Sequence, residues 1–234
     1  LSNDKQSMSF ESGSYLPVLS WVLTQQKIII KNVSATIHFS DKTVLSLRDL
    51  NLTTRHAYGH SRLKGSAWLL QHTPTAFVVI ADMQLDPQAL TNASGHAYLS
   101  AKHVLPVQWQ GFFPNTHYHV HSGVGDIELW LDLVKGHFLS LQSALDFSDV
   151  TLTREGLSKR HLMQTLKGNL AWRTTAEGWQ FTADQMKWQM DGVRGPENAL
   201  LLDYKTSEQA YRAFVKNILI EPLLTMDVPW PAVI

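Results

Sequence analysis

The chain has 234 residues, and its 20 lysines and arginines balance its 20 aspartates and glutamates, so no basic field is available to hold a nucleic acid backbone. The absence of cysteine excludes disulfides, thiolate zinc sites and iron–sulfur clusters. Charged residues make up 17%, against about 25% in a typical globular domain, so less surface than usual is given to solvated ionic groups.

The first half of the chain is predicted to form β-strands, because its apolar residues recur at every second position. Over 29–39 the apolar residues Ile29, Val33 and Ile37 hold odd positions, and the even positions are mostly polar. This alternation is typical of a strand with one apolar and one polar face. Further strands are predicted around Leu45 and Leu47 and over 63–69, 76–85 and 97–102.

The second half continues in the same way. Its clearest strand covers 125–133, where four aliphatic residues alternate with Asp126, Glu128, Trp130 and Asp132. Successive strands lie too close in sequence for parallel crossovers, so we expect antiparallel meanders. The other strands of this half are predicted over 118–121, 138–152, 166–173, 180–190 and 200–204.

Helices are predicted to be few. The strongest helical pattern covers 207–219, where apolar residues recur every three or four positions and Thr206 with Gln209 forms a candidate capping box. Weaker helical segments are predicted over 15–26, 86–90 and 105–113.

The sequence repeats itself at a spacing of about 100 residues. Residues 45–53 recur at 145–153, 63–68 at 166–172 and 81–82 at 183–184. A fixed period of this kind is typical of an architecture in which one supersecondary unit stacks on the next. We therefore predict a first unit over 14–112 and a second over 113–234, preceded by a lead-in over 1–13.

Both repeats contain the same phase slip in their apolar pattern. After Asp49 the apolar residues move from odd to even positions, and the same change follows Asp149. Such a slip would turn every later side chain to the other face unless the extra residue is absorbed in a β-bulge. The sequence thus predicts two matched bulges, with Asp49 and Asp149 in a structural role as caps of exposed amides.

Residues that could carry chemistry are better explained by strand faces. His117, His119 and His121 share one face of a strand and could hold a metal, but no further ligand completes a site, so none is expected. The Asp126–Asp132 carboxylates could form an acid/base pair, yet they are also what a half-buried strand shows. No nucleophile elbow, phosphate-binding loop or zinc-protease motif occurs, and we predict neither an enzyme nor a cofactor.

The apolar stripes leave two architectures open. Two sheets could hide their apolar faces against each other in a sandwich, or one curved sheet could leave its lined face open as a trough for acyl chains. Trp68, Trp130 and Trp188 lie among polar neighbours, which suits either sheet packing or contact with lipid or a partner.

The order of the elements resembles that of a known family. The segment LPVLSWVLTQQKIIIKNVSATIHFSD at 16–41, followed by LSLRDLNLT and RLKGSAWLL, is similar to the AsmA-like envelope proteins, in particular their YhdP branch. GVGDIELWLDLVKGHF at 123–138 and ALDFSDVTL resemble the next unit of the same family. The similarity covers about residues 14–224 and depends on the order of these phrases rather than on any single residue.

The resemblance implies a segment of a long repeating β-groove protein. Such proteins are tied to the inner membrane of a diderm bacterium, extend across the periplasm and are implicated in moving phospholipid to the outer membrane. The implied fold is a curved antiparallel sheet forming an elongated open groove, with short helices at the repeat junctions. The implied partners are phospholipid, neighbouring repeats and both membranes. A scaffold for assembling outer-membrane proteins, acting through protein contacts, is the alternative.

By this resemblance the lipid-binding residues are the inward-facing positions of the matching strands, taking the more apolar face as inward. They are Ile29, Val33, Ile37, Phe39, Leu45, Leu47, Leu63, Phe77, Val79, Ile127, Leu129, Leu131, Leu139, Leu141, Leu145 and Phe147.

Overall fold

The structure is a computed structural model that describes residues 25–38, 44–69, 75–84, 92–109, 117–156 and 159–217. Twelve strands and one short helix make up the described elements. The strands are Lys27–His38 (β1), Val44–Ala57 (β2), His60–Leu69 (β3), Thr75–Gln84 (β4), Ser94–Val104 (β5), Tyr118–Val134 (β6), His137–Arg154 (β7), Arg160–Thr175 (β8), Gly178–Met190 (β9), Val193–Arg194 (β10), Asn198–Lys205 (β11) and Ala210–Val215 (β12). The helix is Pro106–Trp109 (α1).

All twelve strands belong to one antiparallel sheet. Their spatial order follows the chain from β1 to β9 and continues through β11 to β12, while the two-residue β10 pairs with β9 alone. The sheet is curved and open, so β1 and β12 are its two edges. This confirms the predicted mainly β architecture with an open curved sheet. The division into units at 14–112 and 113–234 stays a prediction.

No second layer covers the sheet within the described ranges. Apart from marginal contacts, each strand packs against its hydrogen-bonded neighbours, and the other substantial interelement contact is that of α1 with β6. In a sandwich, strands would also pack face to face on strands of an opposing sheet. Of the two architectures that the sequence left open, the described residues therefore adopt the single sheet.

Tight turns connect several of the hairpins. Tyr58–Gly59, Lys135–Gly136 and Asp191–Gly192 each have positive φ at both residues. Positive φ at both central residues is the mark of a type I′ turn, whose twist matches that of the flanking strands. Lys135–Gly136 is the turn that joins β6 to β7.

The register separates the sheet into an apolar face and a polar face. Along β3 the residues Leu63, Gly65 and Leu69 are buried or half-buried, whereas the alternate residues Lys64 and Trp68 are exposed. We call the face that carries Leu63 the apolar face and the face that carries Lys64 the polar face. The lower exposure of the apolar side is expected for the inner surface of a curved sheet.

The two predicted bulges are present. Asp49 and Asp149 both have a φ of 52°, a left-handed conformation that aspartate tolerates better than most residues. The register between β2 and β3 shifts between Arg48 and Asn51, and that between β6 and β7 shifts on both sides of Ser122. Because the extra residue is absorbed, the apolar residues before and after each aspartate stay on one face.

The helix predicted over 207–219 is wrong in its described part, where Ala210–Val215 forms the edge strand β12. Its backbone pairs with the open side of β11, from Lys205–Ala210 to Leu200–Val215. Tyr211 also packs on Tyr204, with ring centroids 4.8 Å apart. These long-range interactions outweigh a weak local helical preference.

The other predicted helices have different outcomes. The segment predicted over 105–113 contains α1, so a short helix there is confirmed at Pro106–Trp109. The segment predicted over 86–90 lies outside the described residues. So does the one predicted over 15–26, apart from Gln25 and Gln26, which form a bend.

Candidate functional site

Two rows of side chains cross the apolar face perpendicular to the strands. Each row takes one residue from every strand except β10, and consecutive members are partners in the register. The first row is Ile30, Leu52, Gly65, Val79, Leu99, Leu129, Ser143, Leu170, Ala183, Leu200 and Val215. The second row is Ile28, Thr54, Leu63, Ala81, Ala97, Leu131, Leu141, Trp172, Phe181, Leu202 and Ala213.

The rows form a continuous hydrocarbon surface. Thr54 and Ser143 are their only members with a polar side chain, and both are buried. Ten spacings of about 4.8 Å between neighbouring strands give each row a length of roughly 48 Å. Each row therefore leads from one edge of the described sheet to the other.

Glycines on this face leave room for large side chains of the neighbouring strands to lie flat against the sheet. A Cβ added to Gly125 would collide with the ring of Phe147, and one added to Gly168 would collide with the Met186 thioether. The ring and the thioether thus lie over the glycine backbone of the neighbouring strand instead of projecting away from the sheet. This packing leaves space above the face.

Parts of the apolar face are open to solvent. Leu141 is 39% exposed and Phe138, near the hairpin turn of β6 and β7, is 59% exposed. Contiguous apolar surface on a monomer often marks a binding site. The face is thus accessible to an apolar ligand at these positions.

The polar face carries paired charges. Asp82 accepts a hydrogen bond from Arg62 Nε at 2.7 Å, and Asp146 accepts one from Lys167 Nζ at 2.6 Å. Lys102 lies 3.2 Å from a carboxylate oxygen of both Asp126 and Glu128. Because acidic groups are paired with basic ones, this face is hydrophilic without a strong field of either sign.

Asp126 and Asp132, which were considered for an acid/base pair, both have lowered pKa values. Burial raises the pKa of Asp126, but hydrogen bonds from the His103 amide and from Lys102 lower it. Their combined effect is larger, so the pKa lies below its usual value of 3.8. The Ser140 hydroxyl and then His96 lower the pKa of Asp132. These carboxylates are hydrogen-bond acceptors that join neighbouring strands.

The predicted amide-capping role is filled by other aspartates. The carboxylate of Asp49 pairs with Arg48 Nε at 3.4 Å. Asp126 accepts the His103 amide at 3.0 Å, and Asp191 accepts the Leu162 amide at 2.8 Å. Asp49 and Asp149 act through their backbone conformation at the bulges.

Two of the three histidines near the start of β6 contact residues at or just after the end of β7. His117 Nδ1 lies 3.4 Å from Glu155 Oε2, and His121 Nε2 lies 2.8 Å from Thr153 Oγ1. Within the described part of the chain, no cluster of three or more histidine or acidic residues is arranged to hold a metal.

The three tryptophans singled out by sequence lie on different faces. Trp68 and Trp130 are 42% and 40% exposed on the polar face. Trp188 pairs with Leu166 on the apolar face, where its indole ring covers Gly195.

Most residues predicted to bind lipid share the apolar face. Ile29 does not, because it pairs with Thr53, the partner of the exposed Lys64. Leu139 is the extra residue of a bulge between β6 and β7, and Phe39 lies outside the described residues. Ile37 and Leu45 are register partners at the end of the β1–β2 hairpin. The register assigns the remaining eleven to the apolar face: Val33, Leu47, Leu63, Phe77, Val79, Ile127, Leu129, Leu131, Leu141, Leu145 and Phe147.

Sequence reasoning missed the continuation of the rows into the last strands. Leu170, Trp172, Phe181, Leu200 and Leu202 belong to the same surface. Their period-two spacing within β8, β9 and β11 was visible in the sequence and could have identified them. For all of these residues, a role in lipid binding stays a prediction.

A comparison with protein families decides the assignment. A family model described as YhdP protein matches residues 2–233. The chain belongs to the YhdP family. This is a family of bacterial envelope proteins, and membership indicates an envelope function of the lipid-transport type. Searches of curated proteins and of solved structures gave no match.

Among the described elements of this YhdP-family chain, no helix combines the length and the apolar composition that a bilayer crossing requires.

Proposed function

We propose that this chain is a segment of a periplasm-spanning bridge that binds phospholipid acyl chains and passes them between the inner and outer membranes. The observation that carries the proposal is the pair of apolar rows that cross the sheet from β1 to β12. The acyl chains lie along the rows, and the headgroups remain in water beyond the ends of the strands. Membership of the YhdP family supports the same function.

The energetics favour passage along such a surface. Each methylene removed from water contributes about 0.8 kcal/mol, so a two-tailed lipid cannot cross water unaided at a useful rate. Because the rows present hydrocarbon at every strand, a lipid moving along them keeps much of this stabilisation. The process is non-enzymatic in this proposal and requires no cofactor.

The proposal includes a location and further partners. The full-length protein is anchored in the inner membrane of a diderm bacterium and works in the periplasm. Neighbouring repeats extend the groove beyond β1 and β12, whose outer backbone edges have no strand partner within the described sheet.

The first test is extraction of the purified chain with organic solvent and mass spectrometry of the extract. We expect phospholipid at a level comparable to that of the protein. Phospholipid far below the protein level would contradict the proposal.

A pair of matched variants ties the bound lipid to the apolar face. Leu99→Asn with Leu129→Asn interrupts the first row, and we expect about tenfold less bound lipid because two aliphatic contacts are replaced by amides. Val78→Asn with Ile80→Asn makes the same chemical change on the polar face and should leave the lipid level unchanged. Circular dichroism of both variants checks that the sheet is retained. Equal losses in the two variants would count against binding on the apolar face.

A second candidate function is that of a scaffold for outer-membrane proteins. It is favoured by the edge strand β12, on which Tyr211 and Phe214 are 67% and 59% exposed, because an open edge can accept a strand from a partner. A scaffold should still capture its partner when Leu99 and Leu129 are changed to asparagine, and should lose it with Phe214→Asp. If the chain is a lipid bridge, the Leu99 and Leu129 changes should impair its function more than Phe214→Asp does.

A further inference from the structure

Three apolar side chains lie together on the polar face, opposite the rows. Ile80, Tyr98 and Trp130 occupy consecutive strands and are direct partners in the register. Ile80 and Trp130 are 44% and 40% exposed, and the rings of Tyr98 and Trp130 have centroids 5.5 Å apart. We call this group the aromatic platform.

The platform forms the base of a hollow with a polar rim. The hollow has a volume of about 490 Å3, which falls within the range of about 300–1,000 Å3 found for small-ligand sites. Asp82, His96, Asp132 and Gln142 line it around the aromatic platform. The site therefore combines exposed apolar surface, whose two rings are tilted by 44° to each other, with several hydrogen-bonding groups around it.

The carboxylates of the rim already have partners. Asp82 is paired with Arg62 Nε at 2.7 Å, and Asp132 accepts hydrogen bonds from His96 and Ser140. Because the charge of Asp82 is offset and the oxygens of Asp132 are engaged, attraction for a cation over the rings is weakened. The carboxylates equally disfavour an anion, and burial of an acyl chain here would remove water from polar groups without replacing their bonds.

We infer that the hollow is a binding site for neutral carbohydrate. One face of a pyranose ring is lined by C–H groups and stacks on indole and phenol rings, while its hydroxyls both donate and accept hydrogen bonds. Carboxylates already oriented by Arg62, His96 and Ser140 can accept hydroxyl protons, and the Gln142 amide can do both. The site lies on the opposite face from the proposed lipid groove, so the two can be tested independently.

The test is calorimetric titration of the whole chain with a soluble tetramer of β-1,4-linked N-acetylglucosamine and, separately, with maltotetraose. We expect saturable binding of at least one of them. Trp130→Ala should weaken it by about tenfold or more, because the central stacking surface is lost. Gln142→Ala changes an exposed side chain and should weaken it severalfold, which keeps the test informative if Trp130→Ala fails to fold.

Trp68→Ala is the matched control. Trp68 lies on the same face with nearly the same exposure, 42%, but outside the hollow, and its removal should leave binding unchanged. Equal losses from Trp68→Ala and Trp130→Ala would overturn the assignment. So would the absence of saturable binding of either sugar, or preferential binding of a lysine-rich peptide or of phospholipid vesicles that Trp130→Ala abolishes.

Discussion

The hairpin of β1 and β2 and the hairpin of β6 and β7 are built on the same register. In both, the pairing slips by one residue and then returns, at Val33–Leu50 in the first and at Ser122–Thr151 in the second. The side chains next to the slip differ, since Ala35 faces Leu47 whereas Gly125 faces Phe147. A larger residue on one strand is matched by a smaller one on its partner.

This difference shows what the repeat preserves. When the two hairpins are aligned residue by residue, Ala35 corresponds to Gly125 and Leu47 to Phe147, and the two differences look unrelated. Cross-strand pairs, however, are the units of packing in a sheet. The Ala35–Leu47 pair and the Gly125–Phe147 pair fill a similar volume above the same backbone geometry. The two hairpins thus keep a geometry and a filled volume rather than a set of residues.

The largest expected effect on stability comes from placing alanine, the residue of the first hairpin at position 35, at the equivalent position 125 of the second hairpin. Gly125→Ala should lower the free energy of unfolding by about 3 kcal/mol, because the added Cβ would collide with Phe147 and lie 2.7 Å from the Asp146 carbonyl oxygen. Urea denaturation measures the loss. Adding Phe147→Leu recreates the alanine–leucine pair that the first hairpin has at Ala35 and Leu47. The double variant should recover more than half of the lost free energy of unfolding. A double variant no more stable than Gly125→Ala would contradict the pairwise account.

The next effect compares the two bulges directly. Asp49→Val and Asp149→Val should each cost about 2 kcal/mol, because a β-branched residue is strained at a φ of 52°. Asp49→Gly and Asp149→Gly relieve that strain and should be neutral or slightly stabilising. Thermal unfolding of the four variants checks this. A cost at one position only would mean that the bulges are not equivalent.

The smallest effect concerns acid and is confined to the second hairpin. The pKa of Asp126 is lowered in the folded chain, so its stabilising contribution is complete above the unfolded pKa of about 3.9 and is lost as the pH falls through the folded pKa below it. The stability difference between the wild type and Asp126→Asn should therefore be present at about pH 6 and shrink towards about pH 3. Urea midpoints at several pH values measure it. Thr36, the equivalent residue on β1, has no charge, and Thr36→Val should show no such pH dependence.

The sequence was sufficient to predict most of the strands and both bulges, because these leave a local signature in the apolar pattern. Its failures have physical causes. Ile28, Ile29 and Ile30 are all apolar, so the pattern conceals which face each occupies, and the left-handed Asn32 then reverses the phase before Val33. Ile29 was consequently assigned to the wrong side of the sheet.

The candidate surface was predictable only in part for the same reason. Alternation gives the apolar face of each strand, but the rows depend on register, which turns and bulges between strands determine. The strand β12 could not be predicted, because Tyr211, Phe214 and Val215 also fit helical spacing. The deciding interaction is pairing with the open side of β11, which no local pattern contains.

The contacts between adjacent strands have a consequence for how such molecules change in size. A closed sheet must satisfy a condition on strand number and tilt, whereas the described strands form an open sheet with two edges and no such condition. Insertion of one hairpin would lengthen it by about 10 Å and leave the existing neighbours in place. Evolution can therefore adjust the reach of a protein of this design by duplicating hairpins, to match whatever gap it has to cross.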